Sequence, residues 1–256
     1  GGRPALGAAS RRTALLALLS QSSACAMAWK SSGRTHEELV SNMRRDGTLK
    51  HAPVEQALRK VDRAAFVPPE LLRSAHEDRP LPIGYAQTIS APHMHAFALD
   101  QLSPYLTSPD AAVLDVGAGS GYLLAVLAHM CPQGDIHGIE VIPELVEFGK
   151  ANLKKQPVPE TARITLEVGD GWKGVPGKQF DAIHVGAAAE KVPQALVSQL
   201  KSPGRMVVPV GPDGGAQQLL QVDKASDGTV SYKPVMDVRF VPLVQPHSEY
   251  DSSYIR

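Results

Sequence analysis

Between Ala111 and Met130 the chain reads AAVLDVGAGSGYLLAVLAHM, an apolar run that passes through a glycine-rich turn into a second apolar run. Ala111 to Val116 has the length and composition of a buried strand, and Tyr122 to Met130 those of an apolar helix. The alternation then repeats. Strand signals lie at Asp135 to Val141, Arg163 to Val168, Phe180 to Val185 and Arg205 to Val210, with helical signals at Pro143 to Lys154 and Val192 to Leu200. Such spacing predicts an α/β fold, a doubly wound, mostly parallel sheet covered by helices on both faces. Beyond it, Gln217 to Asp223 and Thr229 to Met236 flank an Asp227-Gly228 turn and are followed by Asp237 to Pro242, which predicts an antiparallel C-terminal edge.

Two helices precede this unit. Thr35 and Glu38 form a capping box, Leu39, Val40 and Met43 share a face, and Gly47 can close the end. Pro53 suits the first turn of the second helix, with Val54, Ala57, Leu58 and Val61 on its apolar side. Residues 62 to 91 are rich in Pro and read as one long wrapped loop. A helix then follows Pro92, carrying Ala96, Phe97, Leu99, Leu102 and Tyr105. With 256 residues, 43% of them hydrophobic, the chain suits one large domain with a helical N-terminal cap. Its 26 basic and 26 acidic residues cancel, so no overall field draws it to nucleic acid or anionic lipid, and no run is long enough to span a membrane. Cys25 and Cys131 lack metal-type spacing and His93 and His95 have no nearby Cys, so no metal is expected.

The turn Asp115-Val-Gly117-Ala-Gly119-Ser-Gly121 sits where strand hands over to helix, the usual ligand position in an open α/β sheet. A nicotinamide fingerprint would need a small residue where Tyr122 stands. The fit is better to D-x-G-x-G-x-G, which resembles the S-adenosylmethionine loop of methyltransferases, since an acid beside the turn suits a cationic ligand. Glu140 ends the next strand, placed to accept hydrogen bonds from ribose hydroxyls, and Asp170 follows the third, placed toward an adenine edge. Ser90, ahead of Ala91-Pro92, also reads as a helix N-cap. His184, inside an apolar strand, reads as a hydrogen-bonded core residue rather than a base.

The segments IGYAQTISAPHMHAFALDQL, VLDVGAGSGYL, VGDGWKG, FDAIHVGAAAEKVPQAL, LKSPGRMVVPVGPDGGAQQL and FVPL resemble, in order and spacing, the protein-L-isoaspartate (D-aspartate) O-methyltransferases. The resemblance covers Met27 to about Leu243. It implies the Rossmann-like S-adenosylmethionine-dependent methyltransferase fold and methyl transfer to the free α-carboxylate of L-isoaspartyl, and less readily D-aspartyl, residues of damaged proteins. Ser90 is implied as the active-site hydroxyl. Gln87, Thr88, Ile89, Ser90, His95, Asp115, Gly117, Gly119, Glu140, Asp170 and Gly171 are implied to hold the cofactor. Relatives often have Thr where Val244 stands, and no site residue is assigned to the tail beyond FVPL.

Two other readings compete: methylation of a different carboxylate or small molecule, and a non-catalytic adaptor on the same fold. The first 36 residues contain no Asp or Glu but carry Arg3, Arg11, Arg12, Lys30 and Arg34, a transit-peptide composition. Ala14 to Leu19 followed by Ala24-Cys25-Ala26 also imitates a secretory signal, and Met27 is a candidate start. Residues 1–26 are therefore set apart as an extension and 27–256 taken as the methyltransferase domain. A monomer in the cytoplasm is expected, with an organelle as the alternative if the extension is a transit peptide.

Overall fold

Thr35 Oγ1 accepts the Glu38 N–H at 3.2 Å and opens helix α1 (His36–Arg45), while the Glu38 carboxylate reaches back to the Arg34 N–H at 2.7 Å. The reciprocal cap is thus displaced by one residue from the expected box. Gly47, with φ +73°, takes the left-handed turn that ends the helix. Helix α2 (Ala52–Lys60) has no cap of its own; the buried Asp100 carboxylate accepts the Lys50 and His51 N–H groups at 2.7 and 3.1 Å. The structure, a computed structural model, describes residues 30–244, so the extension 1–26 with Cys25, the candidate start Met27 and the tail 245–256 lie outside the described residues.

The expected loop from 62 to 91 is corrected. It contains two 3₁₀ turns, Arg63–Phe66 and Pro69–Ser74, and a hairpin of β1 (Leu81–Gly84) and β2 (Gln87–Ile89). Only Leu81 and Ile83 alternate inward on β1, too short a period to register in the sequence. The hairpin bend also lacks the expected signature. Tyr85 and Ala86 both take φ +54°, the conformation usually given to Asn or Gly.

Helix α3 (Pro92–Leu102) follows with Pro92 in its first turn, and β3 (Ala112–Val116) leads through the glycine turn into α4 (Tyr122–Met130). Then come β4 (Asp135–Glu140), α5 (Pro143–Leu153), β5 (Arg163–Val168), β6 (Phe180–Val185), α6 (Gln194–Ser198) and β7 (Leu200–Val210). The sheet order is β5-β4-β3-β6-β7, all parallel, as the alternation predicted. Side chains along β3 divide the core by their period of two. Val113 joins the cluster beneath the N-terminal helices and α3–α5, whereas Leu114 and Val116 join the cluster around α6.

Helix α6 is shorter than the Val192 to Leu200 reading. Pro193 caps its start, and Leu200 is drawn into β7 opposite Phe180, whose N–H bonds the Gln199 carbonyl at 2.8 Å. Strands β8 (Gln217–Lys224) and β9 (Val230–Val238) complete the expected antiparallel edge about the Asp227-Gly228 turn. The separate segment Asp237 to Pro242 is also corrected. Asp237 and Val238 finish β9, after which Gln217 holds the Phe240 backbone from both sides and turns the chain across the strand ends.

Candidate active site

The carboxyl ends of β3, β4, β5 and β6 open onto one crevice, where the strand order reverses beside β3. Gly117 and Gly119 cross it with φ +76° and +50°, and a Cβ on Gly119 would lie 3.1 Å from the Ile83 side chain. Glycine is required here because both left-handed backbone and close approach of the β1–β2 hairpin coincide. The Gly117 and Ala118 N–H groups bond the Ile139 carbonyl, tying the turn to the neighbouring strand end.

Glu140 is 6% exposed, and its two oxygens accept the Gly119 and Ile142 N–H groups at 3.0 and 3.1 Å. Burial pushes its carboxyl above the ordinary value, against the opposing pull of these backbone donors. Each oxygen keeps a second lone pair, suited to a vicinal diol. Asp115 is 2% exposed and bonds the His184 ring at 2.7 Å across the β3–β6 register. His184 is therefore the hydrogen-bonded core residue expected, and it fixes Asp115 beneath the turn.

A small cavity of about 30 Å³ under the glycine turn is lined by Ile89, Ser90, His95, Asp115, Tyr122 and His184, among others. His95 stands with its ring 5.1 Å from Tyr122, and its Nδ1 is buried without a hydrogen-bond partner among the described residues. Burial first, then the charges of Arg63, His184 and His93, hold its pKa well below 6.5, so the ring is neutral at physiological pH. His93 points elsewhere, its Nδ1 bonded to Asp78 at 2.8 Å.

The N-cap reading of Ser90 is corrected. The cap residue of α3 is Ala91, and the free His93 N–H is met at 2.9 Å by the buried Asp78 carboxylate from the preceding loop. The Ser90 hydroxyl therefore has no hydrogen bond within the described residues. It stands between the 30 Å³ cavity and an open cleft of about 730 Å³ lined by Tyr85, Met94, Asp213, Arg239 and Phe240. Gln87 and Thr88 line both that cleft and the crevice.

Asp170 does not line the crevice. Its Oδ1 accepts the Trp172 N–H at 2.9 Å and its Oδ2 meets Lys173 at 3.2 Å, while the flanking Gly169 and Gly171 supply the wall. The opposite wall is Val241 to Val244, which the sequence reading left without a role. The Ala188 N–H donates to the Val241 carbonyl at 2.8 Å, the Leu243 N–H donates to the Ala188 carbonyl at 2.7 Å, and the Trp172 indole donates to the Leu243 carbonyl at 2.9 Å. The tryptophan in GDGWKG was the available signal, since a half-buried indole N–H needs an acceptor.

A Cβ on Gly171 would fall 2.7 Å from Leu243 and 2.8 Å from Val116. Gly171→Ala therefore forces this wall outward, and urea denaturation is expected to show a loss of about 1–3 kcal/mol. A stability unchanged within error would mean the wall is loosely seated.

Among the described residues the crevice lining contains no Lys or Arg, and Glu140 is its one ionisable side chain. That donor set does not suit a pyrophosphate. It fits a nucleoside with a diol and a neutral or cationic substituent, and the glycine cradle fits the same group. A family model, the protein-L-isoaspartate(D-aspartate) O-methyltransferases, matches residues 34–248. A Caenorhabditis elegans protein-L-isoaspartate O-methyltransferase is 42% identical over 229 residues, 88% of this chain and 99% of that one. Protein-L-isoaspartate O-methyltransferase 1 of Arabidopsis thaliana is 43% identical over 224 residues, 86% of this chain and 95% of that one. Among solved structures, one described as the Plasmodium falciparum protein-L-isoaspartate O-methyltransferase with S-adenosyl-L-homocysteine superposes with a TM-score of 0.73. It is 29% identical, over 83% of this chain and 99% of that one.

Proposed function

The chain belongs to the protein-L-isoaspartate(D-aspartate) O-methyltransferase family, and from that premise we propose that Ser90 orients the substrate carboxylate between the small cavity under the glycine turn and the open cleft. The enzyme transfers a methyl group from S-adenosylmethionine to the free α-carboxylate of isoaspartyl residues in proteins, the first step of their repair. The observation that carries the site assignment is the Ser90 hydroxyl, without a hydrogen bond among the described residues and placed on the divide between that cavity and the cleft.

An α-carboxyl has a pKa near about 3.5, so the nucleophile is already ionised at neutral pH and needs no base. When bound, S-adenosylmethionine supplies the electrophilic methyl on a sulfonium. What remains for the protein is alignment, with the carboxylate oxygen about 3–3.5 Å from the methyl carbon, and exclusion of water while opposite charges cancel. Ser90 donates to one carboxylate oxygen. Neutral His95 adds no positive charge beside a sulfonium, and Asp115, held by His184, contributes a negative one. Glu140 takes the ribose hydroxyls, Gly117, Gly119 and Gly171 let the backbone approach, and Gln87, Thr88 and Ile89 cover the ligand. Gly169 and Gly171 form the adenine end, and Asp170 acts there only indirectly, by holding the turn between them.

The same reading gives a monomer acting in the cytoplasm on damaged chains, with no nucleic-acid or membrane partner. An open cleft suits varied polypeptides, the charges balance at 26 and 26, and no helix among the described residues is long and apolar enough to cross a membrane.

The test is methyl transfer from labelled S-adenosylmethionine to two peptides that differ only in L-isoaspartate or L-aspartate at one position. Label on the isoaspartyl peptide alone, removed by mild base as an ester requires, is the expected result. Cofactor binding with neither peptide labelled would move the assignment to another substrate or to an adaptor.

A further inference from the structure

Three side chains from separate segments converge: His36 at the start of α1, Asp62 after α2, and His76 after the second 3₁₀ turn. Their donor atoms lie within 4.8 Å of one another. His76 Nε2 is 2.8 Å from Asp62 Oδ1, and His36 Nδ1 is 3.9 Å from the same oxygen. Among the described residues this is the one group of three His, Cys, Asp or Glu side chains so placed.

The tautomer of His36 decides what the group can do. Its Nε2 lies 2.8 Å from the Leu58 carbonyl, which can only accept, so Nε2 carries the proton. In the neutral ring Nδ1 then presents a lone pair. That atom is buried without a hydrogen-bond partner and faces a carboxylate too distant for a hydrogen bond. Two electron-rich atoms facing each other across such a gap call for a cation between them.

We propose that His36 Nδ1, Asp62 and His76 Nε2 form a divalent transition-metal site, with Zn²⁺ the ion best suited to it. Two imidazoles and one carboxylate are a borderline-soft set that Mg²⁺ and Ca²⁺ do not favour. Ligands about 2.0–2.1 Å from zinc stand about 3.3 Å apart in a tetrahedron, so ordinary side-chain rotations complete the geometry. The Leu58 carbonyl fixes the His36 ring from its outer nitrogen, as the second partner of a metal-bound histidine does. The Asp62 side chain is 45% exposed, which gives the ion a way in and leaves its fourth position to water. A bound ion would clamp the loop before the β1–β2 hairpin to the helical cap, one residue from Arg63.

The test uses the full chain stripped with a chelator and passed into metal-free buffer. Titration calorimetry with ZnSO₄ is expected to give one ion per chain, with a rise in Tm that MgCl₂ does not reproduce. Co²⁺ should give the visible d–d absorption of a tetrahedral site. His76→Asn, which retains a donor toward Asp62, and His36→Ala should each weaken zinc binding at least ~10-fold. Folding of both is checked by circular dichroism, and if His36→Ala does not fold the His76→Asn result decides. No stoichiometric binding, or equal binding by His76→Asn, overturns the proposal.

Discussion

Ser90→Ala is expected to lower kcat on an isoaspartyl peptide by about 10²-fold, the scale of a misplaced reacting group, while S-adenosylhomocysteine affinity and Tm stay at parental values. The unchanged Tm distinguishes orientation from capping. A serine that capped α3 would cost about 1 kcal/mol on replacement by alanine, but that duty belongs to Asp78, and Asp78→Ala should produce the stability loss instead. Ser90→Thr should restore much of the rate. The pH profile gives a second readout. With an α-carboxylate as nucleophile and His95 held neutral by burial, neither of these two groups changes charge near neutral pH, so kcat should be flat from about pH 6 to 8. A fall in Tm of the size of a lost cap, with kcat intact, would return Ser90 to a structural role. A kcat limb near 6.5 would make His95 a participant in proton transfer.

The elements most legible in the sequence are those whose neighbours leave no choice. Strand β6 begins and ends where the apolar run does, because it is buried between covering layers and followed by Gly186. The crevice followed from chemistry attached to strand ends, Gly117, Gly119 and Glu140, whose positions are set by the sheet itself. What the sequence concealed depends on distant pairing. Asp78 capping α3, Asp100 holding Lys50 and His51 ahead of α2, and Gln217 steering Phe240 are side chains that serve backbone far along the chain, and no local pattern announces them. The hairpin escaped for a different reason. Tyr85 and Ala86 adopt left-handed backbone against their own preference, a cost of order 1–3 kcal/mol each that surrounding contacts must offset.

Arg63 is the furthest such case, and its removal should have the largest effect on stability. Composition argues that an arginine belongs on the surface, yet this one is 0% exposed. Its guanidinium donates to the carbonyls of Ala75 at 2.8 Å and of Arg79 and Ser90 at 3.1 Å. Burial lowers its pKa to about 10, with Tyr122 and Asp78 pulling the other way, so it remains charged at neutral pH and is solvated by peptide oxygens in place of water. The fork thus joins the loop after the second 3₁₀ turn to the residue that carries the proposed catalytic hydroxyl. Arg63→Met has similar length and no donors, so it removes these hydrogen bonds, the buried one to the Ala75 carbonyl among them. Each orphaned group costs about 1–3 kcal/mol, partly relieved by relaxation, so urea denaturation should report a loss of about 3–5 kcal/mol. Arg63→Lys keeps the charge but cannot span three divergent carbonyls from one ammonium, and should recover less than half of that loss. In whatever fraction stays folded, kcat should fall more than cofactor affinity, because the Ser90 backbone loses its anchor while Glu140 and the glycine turn keep theirs. A loss under about 1 kcal/mol for Arg63→Met would mean that the carbonyls find other donors and that the Ser90 segment is held by the hairpin alone.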